Sequence, residues 1–283
     1  MPHTNRRKNN KPTKLRQIDD DDGWTTVARA KDPAQARKMI AANKVDGRTH
    51  GIRNDVTLKD LQNKYEVCLR NYNEECHEEV RKVLGRTFFP TTTGDEGGHA
   101  PVKITNAVCL ALGTFTWYRD LRNMWQLAFF VGLIKSLTGD RKDAIQMSAQ
   151  DPEFADVDVK FLESIGIKVY PMEELPPIYN QTFLFIPFMD CEVEYKLMHK
   201  AKICPLYVSV GVVSVSEHFS RFPRGQRRDT QEDEDGRQEA LEAVNSIKRS
   251  HDDFEFPWWT SSGTSMSWLR MHVIKPALDN SET

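Results

Sequence analysis

An α/β fold is what this sequence predicts, specifically a Rossmann-like three-layer sandwich whose mostly parallel sheet has about five strands, with an N-terminal helix and a C-terminal extension. Three observations carry that expectation. Between residues 102 and 216, short apolar runs alternate with helical stretches. The runs are almost continuously apolar, the mark of strands buried on both faces of a parallel sheet. Glycine, proline and acidic residues punctuate the junctions between them.

Taken in order, residues 1–22 join a basic block (Arg6, Arg7, Lys8, Lys11, Lys14, Arg16) to four consecutive aspartates. So little apolar surface predicts a disordered tail. Residues 23–100 form a helical region with a linker. In it Leu58, Leu61, Tyr65, Cys68, Tyr72, Cys76, Val80 and Val83 recur at spacings of three and four, behind an N-cap at Thr57 and an acid at Asp60. "FFPTTTGDEGGHAP" then breaks the chain. The core, residues 101–220, reads as strand "AVCLALG", helix "MWQLAFFVGLIKSL", strand "AIQMSAQD", helix "VDVKFLESIG", strands "IKVYPM" and "TFLFIPF", helix "CEVEYKLMHKAK" and last strand "LYVSVGVVSV". A charged loop is expected over 221–237. Residues 238–283 hold the helix "EALEAVNSIKRS" and an aromatic segment with Trp258, Trp259 and Trp268.

Composition narrows the function classes. At 283 residues, 39% hydrophobic and 28% charged, the chain can bury one substantial core. A net charge of −2 argues against a nucleic-acid surface over the whole molecule and leaves room only for local patches, such as weak contact by the basic tail. The apolar run at 127–134 is far shorter than the roughly 18 to 20 residues of a membrane span. No apolar segment follows the basic N-terminus, so a cytoplasmic or nuclear location is expected. Five cysteines in mostly apolar contexts suit reduced thiols. Cys76 and His77 are adjacent and diverge on a helix, so no metal site is expected there.

Parallel sheets bind ligands beyond the carboxyl ends of their strands, where strand order reverses. That places candidate residues at Gly113 and Thr114 after the first core strand, Asp151 after the second, Pro187 and Asp190 after the fourth, and Ser214 after the last. Gly113 suits a tight turn or a close backbone approach. Asp151 stands where nucleotide-binding folds put an acid on ribose hydroxyls. Yet "ALGTFT" has one glycine where a dinucleotide fingerprint needs three, and Asp151 lies nearly twice as far from Gly113 as the usual roughly 20 residues. An adenosine site of the methyltransferase kind tolerates such variation. An Asp151 that only builds structure would instead have its carboxylate occupied by backbone N–H groups. No G-x-S-x-G occurs, and neither His199 nor His218 sits in a nucleophile motif.

The segments "CLALGTF", "WQLAF", "DPEF" and "TFLFIPFMDCEVEY", over residues 104–216, resemble the SRR-type domain, the sensitivity-to-red-light-reduced family. "DGWTTV" at 22–27 resembles the tryptophan motif that often precedes it. The resemblance implies a regulator, linked to signalling or circadian-type control and without an established catalytic activity. Two departures mark a divergent member. Phe188 follows Pro187 where the family carries a Pro-His pair, and "VVSVSEHF" replaces an Asn-Ser-Phe near the last strand. The expected function is therefore a non-catalytic interaction protein with protein partners. The alternative is an enzyme or sensor that binds a small adenosine ligand. No cofactor can be named from the sequence.

Overall fold

The computed structural model describes residues 15–19, 25–29, 56–89, 102–116, 121–139, 145–171, 174–210, 212, 231–255 and 269–275. The chain divides into two units. In the first, residues 1–54 with 116–118, strands β1 (Leu15–Asp19) and β2 (Thr25–Arg29) pair antiparallel, Leu15 opposite Arg29. This corrects the expectation of disorder across 1–22. Residues 20–24, between the paired ends Asp19 and Thr25, lie outside the described residues. The rest of that tail lies outside the described residues.

The second unit holds the sheet, in the order β5-β4-β3-β6-β7-β9-β8. Its strands are β3 (Asn106–Leu110), β4 (Gln146–Gln150), β5 (Ile167–Val169), β6 (Thr182–Ile186), β7 (Leu206–Ser209), β8 (His251–Glu255) and β9 (Arg270–Ile274). The first five are parallel, and β3 lies beside β6 as their apolar sequences demanded. Strand β9 runs antiparallel to both β7 and β8. The sheet is thus mixed and seven-stranded instead of five-stranded, and "LYVSVGVVSV" is not its last strand. The C-terminal segment supplies two members that its polar residues concealed.

Helix α1 (Leu58–Glu75) starts as its sequence dictates: Thr57 Oγ1 accepts from the Asp60 N–H at 3.2 Å, and Asp60 Oδ2 accepts from the Thr57 N–H at 3.0 Å. The expected single helix breaks at Cys76, and α2 (His77–Phe88) follows. Two like-charged i,i+4 pairs, Glu74 with Glu78 and Glu75 with Glu79, flank the break and weaken helix continuity there. The buried stripe nevertheless runs on through Tyr72, Cys76, Val80, Leu84 and Phe88.

Helix α3 (Arg122–Thr138) is buried nearly all round, with Lys135 as its exposed exception beyond the first turn. One side meets the sheet, where Phe130 lies 5.4 Å from Phe183 and 5.6 Å from Phe185. The other is covered by α1, whose Tyr72 packs edge-on against Phe129. Helix α4 (Asp156–Ser164) joins the same face through Phe161, which meets Tyr65. The opposite face carries Val108, Leu110, Leu184, Ile186 and Tyr207, covered by α5 (Cys191–Glu194), α6 (Met198–Ala201) and α7 (Gln231–Ser250). Helix α7 begins inside the stretch expected as a charged loop. Its residues Ala240, Ala243, Val244 and Ile247 recur at three and four and bury that face, which carries the helix back into the charged sequence.

Candidate functional site

Strand order reverses between β3 and β6: the chain leaves β3 through α3 toward β4, and leaves β6 through α5 and α6 toward β7. The loop after β3 is therefore where this architecture would hold a ligand. It is a strained loop. Ala111 has φ +56° and Gly113 φ +72°, both left-handed. A Cβ on Gly113 would fall 2.6 Å from Asn123 Nδ2, which itself donates to the Thr114 carbonyl at 2.8 Å.

Two carboxylates hold the loop. Asp151 Oδ2 accepts from the Gly113 N–H at 2.7 Å, and its Oδ1 accepts from the Glu153 N–H at 2.8 Å. Asp158, fully buried on α4, accepts from Thr114 Oγ1 at 2.6 Å, the Ala155 N–H at 2.9 Å and the Phe115 N–H at 3.2 Å. Burial pushes the Asp158 carboxyl above the ordinary carboxylate range, against the pull of those donors. The amides that would otherwise face a bound anion are already engaged by the protein's own acids.

The sequence-predicted residues are thus partly brought together. Gly113 and Asp151 are bonded directly, and Thr114 joins through Asp158. Pro187 is buried just beyond β6, while the exposed Asp190 accepts the Glu194 N–H with its carbonyl at 2.8 Å and so opens α5. Ser214 lies outside the described residues. Beside Pro187, Phe188 is 40% exposed, with the Arg122 guanidinium 5.6 Å from its ring centre. Leu121 and Val193, also exposed, are the neighbours of Arg122 and of α5's start in sequence.

One buried acid escaped sequence reasoning. Glu194 is 1% exposed, and its Oε1 accepts from both Tyr207 and Ser209, the latter at 2.5 Å. Nothing local marks it, because an acid on a helix ordinarily faces water. Tyr207 stacks on His272, ring centres 5.6 Å apart. Burial pushes the Glu194 carboxyl up to about 7, the two hydroxyls opposing it, and burial pulls the His272 imidazole below its usual value.

For an acid whose folded pKa is raised from 4.5 to about 7, the stabilising contribution is complete below pH 4.5 and lost as pH climbs through 7. Glu194→Gln keeps an acceptor for Tyr207 and Ser209 but does not titrate. Urea midpoints of the two proteins should therefore diverge between pH 5 and pH 8, the variant gaining about 3 kcal/mol relative to wild type. His272 acts oppositely, destabilising as pH falls below its ordinary value, but equally in both proteins. Parallel pH profiles would refute the assignment.

Cys68, Cys76, Cys109 and Cys204 are free and buried, and burial raises the thiols of Cys68, Cys76 and Cys204 to about 12. Among the described residues no cluster of three or more His, Cys, Asp or Glu could hold a metal ion, and no helix is long and apolar enough to cross a membrane.

An α/β domain with a mixed seven-stranded sheet and an internally bonded switch-point loop is the class this architecture defines. The SRR1 domain family matches residues 58–270, most of the chain, and the protein belongs to that family. No curated protein and no solved structure matches it.

Proposed function

We propose that this chain is a regulatory interaction domain whose Rossmann-like core serves as a scaffold and catalyses no reaction. One observation carries the reading: at the switch point, Asp151 and Asp158 take the Gly113 and Phe115 amides for themselves. A site so closed offers a nucleotide neither a free ribose-binding acid nor a free phosphate cradle. What this edge does present is Phe188 under the Arg122 guanidinium, with Leu121 and Val193 exposed nearby in sequence. Arginine and aromatic side chains are the residues that dominate protein interfaces. The partner is accordingly a protein, met in the cytoplasm or nucleus in a signalling or circadian-type role.

The strand order favours a second reading. Counted from β3, the parallel strands run 3-2-1-4-5, the order of nucleotide-binding α/β sheets.

Thermal shifts against adenosine, its phosphates and its sulfonium derivatives separate the two. The scaffold reading expects no shift. A ligand at 100 times its Kd would add about 2.7 kcal/mol and overturn it. Asp151→Asn is expected to lower the melting temperature, by about 1 to 2 kcal/mol of stability, because one backbone N–H then faces an amide donor.

A further inference from the structure

Helix α5 is a single turn, Cys191–Glu194, and a helix that short has no stability of its own. Its start is tied by Asp190, whose carbonyl accepts the Val193 N–H at 2.9 Å and the Glu194 N–H at 2.8 Å. Its seat on the sheet is a different matter. Val193 is exposed, whereas the Glu194 side chain is buried against β7, its Oε1 accepting from Tyr207 and Ser209. Among the described side chains of α5, the anchor is thus an ionisable acid where an apolar residue would ordinarily stand.

The groups that hold this acid are neutral. Tyr207 and Ser209 face it from β7, and His272 of β9 stacks on Tyr207. Further along the chain, Tyr195, Lys196 and His199 share a hollow of about 420 Å³ with Asp235 and Glu239 of α7. Among the described residues no Lys, Arg or His pairs with Glu194. Asp158 provides the contrast, since two of its three donors are backbone amides, which solvate a carboxylate in place. Two hydroxyls on one oxygen leave an ionised Glu194 poorly solvated, and turning it out to water relieves that cost.

We propose that α5 is a proton-operated latch: with Glu194 protonated the turn sits on β7, and with Glu194 ionised it lifts away while the rest of the sheet stays covered. The opening is local because α7, through Ala240, Ala243, Val244 and Ile247, continues to bury the same face of the sheet. Releasing one turn exposes far less apolar surface than unfolding does, so it costs far less. Val193 belongs to the exposed set read above as a partner surface. On that reading the latch governs when the set is assembled, tightening as pH falls; the latch itself does not depend on it.

The test is amide hydrogen exchange on the full chain with no partner added, across pH and in low concentrations of urea. Protection of the Val193 and Glu194 amides, corrected for the intrinsic pH dependence of exchange, should fall about 10-fold per pH unit between pH 5 and 7 and then level off. That window follows from an acid titrating near 4.5 when open and about 7 when closed. Low urea should leave these two amides unchanged while it accelerates the Cys109 and Leu184 amides of β3 and β6, which open only with the whole fold. In Glu194→Gln the pH slope at 193 and 194 should vanish. A flat wild-type profile overturns the proposal, and needs no variant to fold. So does a urea dependence matching that of β3 and β6, which would make Glu194 a contributor to global stability alone, and so does a slope that survives Glu194→Gln.

Discussion

Gly132→Ala is expected to cost about 3 kcal/mol of folding free energy, although alanine in a helix interior ordinarily gains about 1 kcal/mol over glycine. The reversal comes from Tyr72. An added Cβ would lie 2.3 Å from Tyr72 Cε1 and 2.4 Å from Cδ1, well inside contact distance. The ring cannot withdraw: Tyr72 is fully buried, edge-on to Phe129 at 5.5 Å, with its hydroxyl 3.3 Å from Ser136 Oγ. Overpacking therefore outweighs the gain in helix propensity. Urea denaturation of Gly132→Ala alone and in a Tyr72→Val background decides the matter. In that background the substitution should become neutral or stabilising. An unchanged midpoint for the single variant would show that the ring is not wedged against the glycine.

Asp158→Ala should be more damaging still, at about 4 kcal/mol, because it removes the acceptor of three donors at once, two of them in buried hydrogen bonds and one part-buried, and each orphaned buried donor costs about 1 to 3 kcal/mol. Asp158→Asn retains an acceptor oxygen and should cost about half as much. Amide hydrogen exchange supplies the local readout. The Phe115 N–H, bonded to Asp158, should exchange much faster in Asp158→Ala, whereas the Gly113 N–H, bonded to Asp151, should respond chiefly to Asp151→Asn. Equal protection of Phe115 in wild type and Asp158→Ala would remove the carboxylate from its assigned place.

How far the sequence disclosed this molecule depended on burial. Strands β3 and β6 were legible because both faces are covered, which makes "AVCL" and "TFLFI" continuous apolar runs. Strand β8, "HDDFE", was not. It is an edge strand with His251 inside and Asp252, Asp253 and Glu255 outside, so its composition resembles a loop. The switch-point residues Gly113 and Asp151 were found from their positions at strand ends. Asp158 and Glu194 were missed because an acid on a helix normally faces water, and only the packing of neighbouring elements reveals that these two do not. Their hydrogen-bond partners, Thr114 and Tyr207, come from distant parts of the chain, beyond the reach of local pattern.

The placement of β9 between β7 and β8 imposes a timetable on biosynthesis. Strands β3 to β7 emerge from the ribosome in an order that lets each find its neighbour soon after it appears. Strand β8 emerges next and has nowhere to go, since its sheet contact is to β9 alone. Until residues 270–274 have been made, β7 presents a bare row of backbone donors and acceptors, and β8 waits unpaired behind it. The nascent chain is thus most exposed to mispairing between the synthesis of β7 and that of β9. A stop codon just upstream of Arg270 would leave that vulnerability permanent, releasing a product in which β7 and β8 both lack their shared partner.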